Sequence, residues 1–281
     1  MIDVCLYHGA DLDGQCSGAI VKLLNPSVEL VPMNYGTPVP WEKVTGKRVC
    51  LVDYCLQPWS DMKQLRSLVA ELTWIDHHKS AIEEYEASGD FIQGIRRIGE
   101  AACELTWEYF YHTRLPRGVF LLGDYDAWRH SALKTMTYQM GMRLHDMDPR
   151  EDEAMDRWRL VVREDLVFHE RVLAEGSTVL KYQMQCNARM AKRLWFPTQL
   201  GGYKWMAVNA SGVNSMLWDL VWDDSFDGKL AFSWGGKHWT VSLYSDKIDC
   251  SVIARDHGGG GHAGAAGFQC QELPFNLRGD R

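Results

Sequence analysis

At 281 residues and 46% hydrophobic content, the chain is long enough to bury a sizeable core and to hold two domains. A formal charge of −7 argues against a basic footprint gripping long duplexes, no apolar stretch reaches the ~18 residues of a membrane span, and Met1-Ile2-Asp3 lacks the basic and apolar regions of a signal peptide. Its eight cysteines form no Cys-x-x-Cys pair, and Cys5 and Cys50 fall inside apolar runs, so they read as reduced core residues of a cytoplasmic protein.

In chain order, the first apolar run is Val4-Cys5-Leu6-Tyr7, a predicted strand that leads into His8, Asp11 and Asp13 and the small residues Gly14, Ser17 and Gly18. A helix is predicted over Ser17–Leu24. A second strand, Val49–Val52, delivers Asp53, and a helix over Ser60–Ala70 has Ser60 as its expected N-cap. The third strand, Leu72-Thr73-Trp74-Ile75, ends in Asp76-His77-His78. After a helix over Ala101–Tyr111, a fourth apolar run, Val119–Leu122, is read as a strand that delivers Asp124 and Asp126 past Gly123. Strand and helix patterns alternating to about Arg143 predict an α/β fold, a three-layer domain with a mostly parallel sheet flanked by helices.

In such a sheet, ligands collect beyond the carboxyl ends of the strands, so acids and histidines that follow successive apolar runs can share one crevice. A lone Asp at a strand end is more often a cap or turn former. Adjacent histidines behind a carboxylate on a buried strand are costly to keep without partners, however. Several carboxylates with two or three imidazoles, and no paired thiolates, suit Mn²⁺, Mg²⁺ or Fe²⁺ better than structural zinc. So many carboxylates would repel one another unless cations neutralised them. Two metals roughly 3.5–4 Å apart would do so and would also generate a nucleophile at neutral pH.

From about Glu151 to Leu194 the sequence is charged and helix-prone, with Trp158, Val161, Val162 and Leu166 at helical spacing and Gly176 expected to separate two helices. The expected organisation is a catalytic domain over 1–150, a helical linker over 151–195 that sets a cleft, and a smaller α/β domain over 196–281. In the last, strands are predicted near Trp205–Asn209, Leu230–Trp234 and Thr240–Tyr244 and a helix near Val213–Trp222, with a frayed end after Leu277. The run Gly258-Gly259-Gly260-Gly261-His262 lets backbone N–H groups approach an anion unobstructed, with His262 as a further donor; the bland reading is a surface turn. Of the twelve tryptophans, Trp128 is the best base-stacking candidate and Tyr244 the next aromatic one, although core packing is the default for any single ring.

His8-Gly9-Ala10-Asp11-Leu12-Asp13-Gly14, Asp53, Asp76-His77-His78 and Asp124-Tyr125-Asp126, in that order, resemble the motif set of the DHH phosphoesterases. Ser242-Leu243-Tyr244-Ser245, the stretch Ile248–Arg255 and Gly258–Phe268 are similar to the DHHA1 substrate-binding domain, and the two halves together span nearly the whole chain. The resemblance is nearest to the short oligoribonucleases (nanoRNases) and the phosphatases of 3′-phosphoadenosine 5′-phosphate. It implies hydrolysis of nanoRNA, linear dinucleotides or small phosphorylated nucleotides by two-metal hydroxide attack, with Mn²⁺ expected first and Mg²⁺ next.

By the same resemblance His8 and Asp11 hold one metal, Asp13, His77 and either Asp124 or Asp126 the other, and Asp53 bridges them. Asp126 is favoured because Asp126-Ala127-Trp128 is similar to an aspartate-x-tryptophan pattern in short members. Asp76 orients a histidine, His78 faces the scissile phosphate, and the Gly258–Gly261 run with His262 and Tyr244 binds substrate. Tyr244 stands where many DHHA1 domains carry Arg, and it can stack or donate one hydrogen bond but cannot clamp a phosphate in bidentate fashion. The expected partners are short single-stranded oligonucleotides or nucleotides, with no membrane and a possible homodimer. Competing readings are a cyclic-dinucleotide phosphodiesterase, an inorganic pyrophosphatase or exopolyphosphatase, and an inactive nucleotide-binding module.

Overall fold

The structure is a computed structural model that describes residues 2–277; the expected fraying after Leu277 lies outside the described residues. The chain divides into two units, up to Leu180 and from Lys181.

The first unit contains β1 (Val4–His8), α1 (Leu12–Leu24), β2 (Glu29–Met33), α2 (Trp41–Val44), β3 (Arg48–Val52), α3 (Trp59–Leu68), β4 (Glu71–Ile75), α4 (Lys79–Ser88), α5 (Ala102–Tyr111), α6 (Arg117–Asp126), α7 (Thr135–Met142) and α8 (Asp152–Val162). It also holds the first half of α9 (Leu166–Leu194). The sheet runs β2-β1-β3-β4 with every pairing parallel. Side chains alternate across it, as the two-residue period of a strand requires. Leu6, Leu51 and Trp74 pack with Met62 and Leu65 of α3 on one face, while Cys5, Tyr7, Cys50, Val52 and Ile75 pack with Val21 of α1 and Leu105 of α5 on the other. The expected α/β domain with helices on both faces of a parallel sheet is therefore the observed one. Cys5 and Cys50 are wholly buried in it.

β2 has no counterpart among the predicted strands, and it carries Pro32, which cannot donate to a ladder. The sheet resolves this by placing β2 at the edge, where a missing N–H does no harm.

Four local expectations are corrected. Val119–Leu122 is not a strand: Pro116 starts α6, and Val119, Leu121 and Leu122 pack with α1 and α8 on a helical core. Ser60 is not an N-cap, since α3 begins at Trp59 behind Pro58. The helix expected near Val213–Trp222 is only one 3₁₀ turn, Ser215–Trp218, in which the Asn214 side chain accepts from Met216 N–H. Gly176 does not break a helix; α9 runs through it, and the interruption falls at Glu164, whose φ is 56°.

Gly176 instead serves close packing. A Cβ there would lie 1.9 Å from the Thr137 carbonyl oxygen of α7. Gly176→Ala should therefore destabilise the protein by about 2 kcal/mol despite Ala's better helix propensity. Urea denaturation checks this, and an unchanged or raised midpoint would contradict the α7–α9 contact.

The 151–195 segment also contributes Met155, Trp158, Val161, Phe168 and Val172 to the first unit's core, while Leu166 is exposed.

The second unit, from Lys181, has β5 (Phe196–Leu200), β6 (Tyr203–Asn209), β7 (Gly228–Trp234), β8 (Trp239–Tyr244), α10 (Cys250–Asp256), β9 (Gly260–Gly261) and β10 (Ala265–Cys270). They form a six-stranded sheet ordered β5-β6-β7-β8-β10-β9, antiparallel except for β6–β7. Trp205, Leu230, Phe232, Val241 and Leu243 pack with Ile253 and Ala254 of α10 on one face, and Met206, Val208 and Ala231 pack with Leu217, Trp218 and Ala191 on the other. Among the described residues no helix is long and apolar enough to cross a membrane.

Candidate metal centre

Strand register sets the centre. Tyr7 pairs with Val52, and Val52 with Ile75, so the next residues, His8, Asp53 and Asp76, stand level at the carboxyl edge of the sheet. The loop after β1 is short because Asp11 caps α1, its Oδ1 accepting from Gly14 N–H at 3.0 Å. A Cβ on Gly14 would fall 2.1 Å from the His8 carbonyl oxygen, so only glycine lets α1 start this close to β1. α1 thus opens at Leu12, earlier than the Ser17 start expected, and Asp13 lies in its first turn.

Asp11 Oδ2 is 2.9 Å from His8 Nδ1. Asp13, 2% exposed, accepts from the N–H groups of Ala102 and Cys103 at 2.9 and 2.8 Å, where the amide ends of α5 favour an anion. Its Oδ2 is 3.5 Å from His77 Nε2, which is also 3.3 Å from Asp53 Oδ1 and 3.3 Å from Asp126 Oδ2. Asp53, 1% exposed, has its Oδ2 3.5 Å from His8 Nδ1. Three sets of potential ligands result, each within 4.8 Å: His8, Asp11 and Asp53; Asp13, His77 and Asp126; and Asp53, His77 and His78.

Asp76, fully buried, accepts at Oδ1 from the N–H of His77 (2.7 Å), the N–H of His78 (3.2 Å) and His78 Nδ1 (2.7 Å). A carboxylate can only accept, so His78 carries its proton on Nδ1 and keeps Nε2 for another partner.

The electrostatics are those of crowded ligands. Burial, reinforced by Asp53, pushes Asp13 up to about 7. Burial and Asp13 push Asp126 up to about 7 as well. Burial also raises Asp53. Burial opposes charge on His8 and His77, yet Asp11 and Asp53 lift His8 to about 10, and Asp53 and Asp13 lift His77 to about 10. Asp76 is held low against its burial by the His78 hydrogen bond.

Both Asp53 oxygens are buried with no hydrogen bond, and the 3.3 and 3.5 Å gaps to imidazoles suit neighbouring ligands on a cation better than made hydrogen bonds. The donor set therefore fits divalent metals.

Asp124 and Asp126 part company because they lie on a helix, two residues and about 200° apart. Asp126 reaches the cluster. Asp124, fully buried, accepts instead from Ser131 N–H (3.1 Å), Ser131 Oγ (2.6 Å), Ala132 N–H (3.2 Å) and the Thr135 hydroxyl, and it is held down to about 2 despite its burial. The N-terminal amides of α5 escaped the sequence reading. Their only signal is the run of small residues, Ala101-Ala102, that admits a carboxylate.

The remaining expected residues belong to the second unit. Gly258–His262 joins α10 to β10, with the Gly258 and Gly259 N–H groups donating to the Arg255 and Ala254 carbonyls and the His262 N–H to that of Ala265. Those three amides have partners within the fold. Gly260 and Gly261 form the short edge strand β9. Tyr244 ends β8, its ring centroid 6.3 Å from that of Trp218.

No family model matches the chain. The structure is similar to a DHH domain described as a member of the s1p family of ribosomal proteins, 14% identical with a TM-score of 0.58 over 96% of this chain and 83% of that one. The chain has the DHH fold. It is also similar to the pGpG-specific phosphodiesterase PggH of Vibrio cholerae, 11% identical with a TM-score of 0.55, covering 96% of this chain and 93% of that one. By sequence, the DHH-fold chain is 25% identical to the oligoribonuclease NrnB of Bacillus subtilis over 97% of its own length and 74% of NrnB. It is 23% identical to an uncharacterized protein of Acanthamoeba polyphaga mimivirus over 95% of this chain and 67% of that protein.

Proposed function

We propose that the protein is a divalent-metal-dependent phosphoesterase that hydrolyses short oligonucleotides or small phosphorylated nucleotides. The observation that carries this reading is Asp53, a buried carboxylate without hydrogen bonds that is shared between two ligand sets. The likeness to an oligoribonuclease and to a pGpG phosphodiesterase supports the choice of substrate class.

His8, Asp11 and Asp53 would hold one cation and Asp13, His77 and Asp126 a second, with Asp53 Oδ1 3.3 Å from the His77 Nε2 of the second set. Bound Mn²⁺ or Mg²⁺ would supply Lewis acidity and lower the pKa of water toward neutrality. His78, fixed through Nδ1 by Asp76, presents Nε2 to the phosphate oxygens, and the carboxylate beside it raises its affinity for a proton, so it stabilises developing negative charge. The α5 amides keep Asp13 oriented without a counter-ion of their own. In the second unit, His262 and the exposed glycine run are a separate candidate element for binding a phosphate or nucleotide.

The test is a panel of 5′-labelled di- to decanucleotides, with 3′-phosphoadenosine 5′-phosphate, a cyclic dinucleotide and pyrophosphate beside them, in Mn²⁺ and Mg²⁺ separately. Mononucleotide release that is fastest from the shortest chains is expected. Pyrophosphate hydrolysis without nucleotide release would overturn the reading. His262→Ala should raise KM several-fold with kcat within about twofold, the pattern of lost binding; a fall in kcat at constant KM would refute a binding role.

A further inference from the structure

Among the described residues of the first unit, the large aromatics exposed to solvent are Tyr35 (65%), Phe91 (73%) and Trp128 (55%). Of these three, Tyr35 touches a residue of the acid–imidazole cluster and Trp128 follows one by two positions.

Tyr35 follows β2 at the carboxyl edge of the sheet. Its ring meets the His8 ring edge-on, centroids 6.0 Å apart at 66°, and the Tyr54 ring at 5.3 Å. It is exposed but held.

Trp128 lies two residues past Asp126. Its φ is 55° and that of His130 is 47°, left-handed values that bulky side chains rarely adopt. The backbone is held there from Asp124, whose carbonyl accepts from Arg129 and His130 N–H at 3.0 and 3.1 Å and whose carboxylate takes Ser131 and Ala132. The His130 ring braces the indole edge-on, centroids 4.7 Å apart at 83°. A Trp serving the core would be buried in a relaxed backbone. This one is displayed to solvent by a strained turn that a buried carboxylate is spent on maintaining.

A set of neighbouring residues connects the two rings. Tyr35 touches His8, His8 neighbours Asp53, Asp53 neighbours His77, and His77 neighbours Asp126, which leads to Trp128. We infer that Tyr35 and Trp128 are specificity residues, each stacking on one nucleobase of a substrate whose phosphodiester lies at the Asp53 cluster, so that the first unit alone reads a unit of two nucleotides. The inference rests on the phosphoesterase reading above and adds the basis for preferring dinucleotides. Every base has a face to stack, so the clamp selects for length and for the presence of bases rather than for sequence.

The experiment compares the wild-type chain with Tyr35→Ala, Trp128→Ala, Tyr35→Phe and Trp128→Phe. The substrates are pApA and the same phosphodiester with an abasic sugar at either end, in Mn²⁺. Each alanine variant should raise KM for pApA roughly tenfold, the scale of one lost base–aromatic stack, with kcat within about threefold and little change for the substrate lacking the matching base. The phenylalanine variants should remain near wild type. Calorimetric binding of a phosphorothioate-linked pApA gives the same comparison as a Kd independently of turnover, and circular dichroism excludes a folding defect.

If either alanine variant binds pApA as the wild type does, or loses the abasic substrate equally, the clamp is wrong. If the wild type binds pApA with the expected loss in both variants but hydrolyses nothing, the phosphoesterase reading fails while the clamp stands.

Discussion

Asp53→Ala should lower turnover of a dinucleotide in Mn²⁺ by roughly 10³-fold or more while leaving the metal-free protein as stable as the wild type, or slightly more so. The two halves of this expectation have one cause. Asp53 is 1% exposed and neither carboxylate oxygen has a hydrogen bond, so in the absence of cations it is a buried group that folding must tolerate rather than one that holds the fold together. It belongs both to the His8–Asp11–Asp53 set and to the Asp53–His77–His78 set of potential ligands, so its loss should disturb both.

Thermal melting separates the halves. Mn²⁺ at a hundredfold excess over its Kd should stabilise the wild type by about 2.7 kcal/mol, and that gain should vanish in Asp53→Ala. A variant that melts higher in Mn²⁺ as the wild type does, or that still hydrolyses the dinucleotide at near-native rate, would remove Asp53 from the centre of the mechanism. A large loss of stability in the metal-free variant would make it a structural residue instead.

The residues that meet at this centre were legible because a parallel sheet turns a sequence rule into a spatial one. His8, Asp53 and Asp76 each follow an apolar run by one position, and the register Tyr7, Val52, Ile75 brings them level. Where the rule had no purchase, reading failed for physical reasons. Val119–Leu122 is four apolar residues, too short for periodicity to tell a buried strand from a helix turn, and the deciding signal was Pro116 ahead of it. Gly176 looked like punctuation, but what it answers is a carbonyl of α7 that is 39 residues away in sequence and invisible from it. The α5 amides that take Asp13 are likewise distant, at Ala102 and Cys103. In the second unit, the composition of Gly258–Gly261 suggests an anion nest, while two of its amides close the end of α10.

Asp124→Ala should cost about 3 kcal/mol of stability and leave divalent-ion binding intact, the reverse of what a metal ligand would show. The carboxylate is fully buried and takes two backbone N–H groups and two hydroxyls from the Ser131–Thr135 segment; removing it takes away their shared acceptor and leaves the buried Thr135 hydroxyl without one. Its neighbour Asp126, one helix face away, should behave oppositely, with Asp126→Ala losing one bound ion at little cost in folding.

The acid limb of the stability curve carries the same information. Hydrogen bonds from Ser131 and Thr135 hold Asp124 at about 2 against its ordinary 3.8, so the folded state binds this proton more weakly than the unfolded one. Its contribution is therefore complete above about pH 4 and is lost as pH falls toward 2. The stability gap between wild type and Asp124→Ala should accordingly stay constant from pH 7 to about pH 4 and close below that. Amide exchange at Ser131 and Ala132 should lose protection in the variant at pH 7. If both amides stay protected and the midpoint of denaturation moves by less than about 0.5 kcal/mol, Asp124 does not organise the turn. The left-handed backbone at Trp128 and His130 would then rest on the Asp124 carbonyl, which accepts from Arg129 and His130 N–H and is kept in the alanine variant.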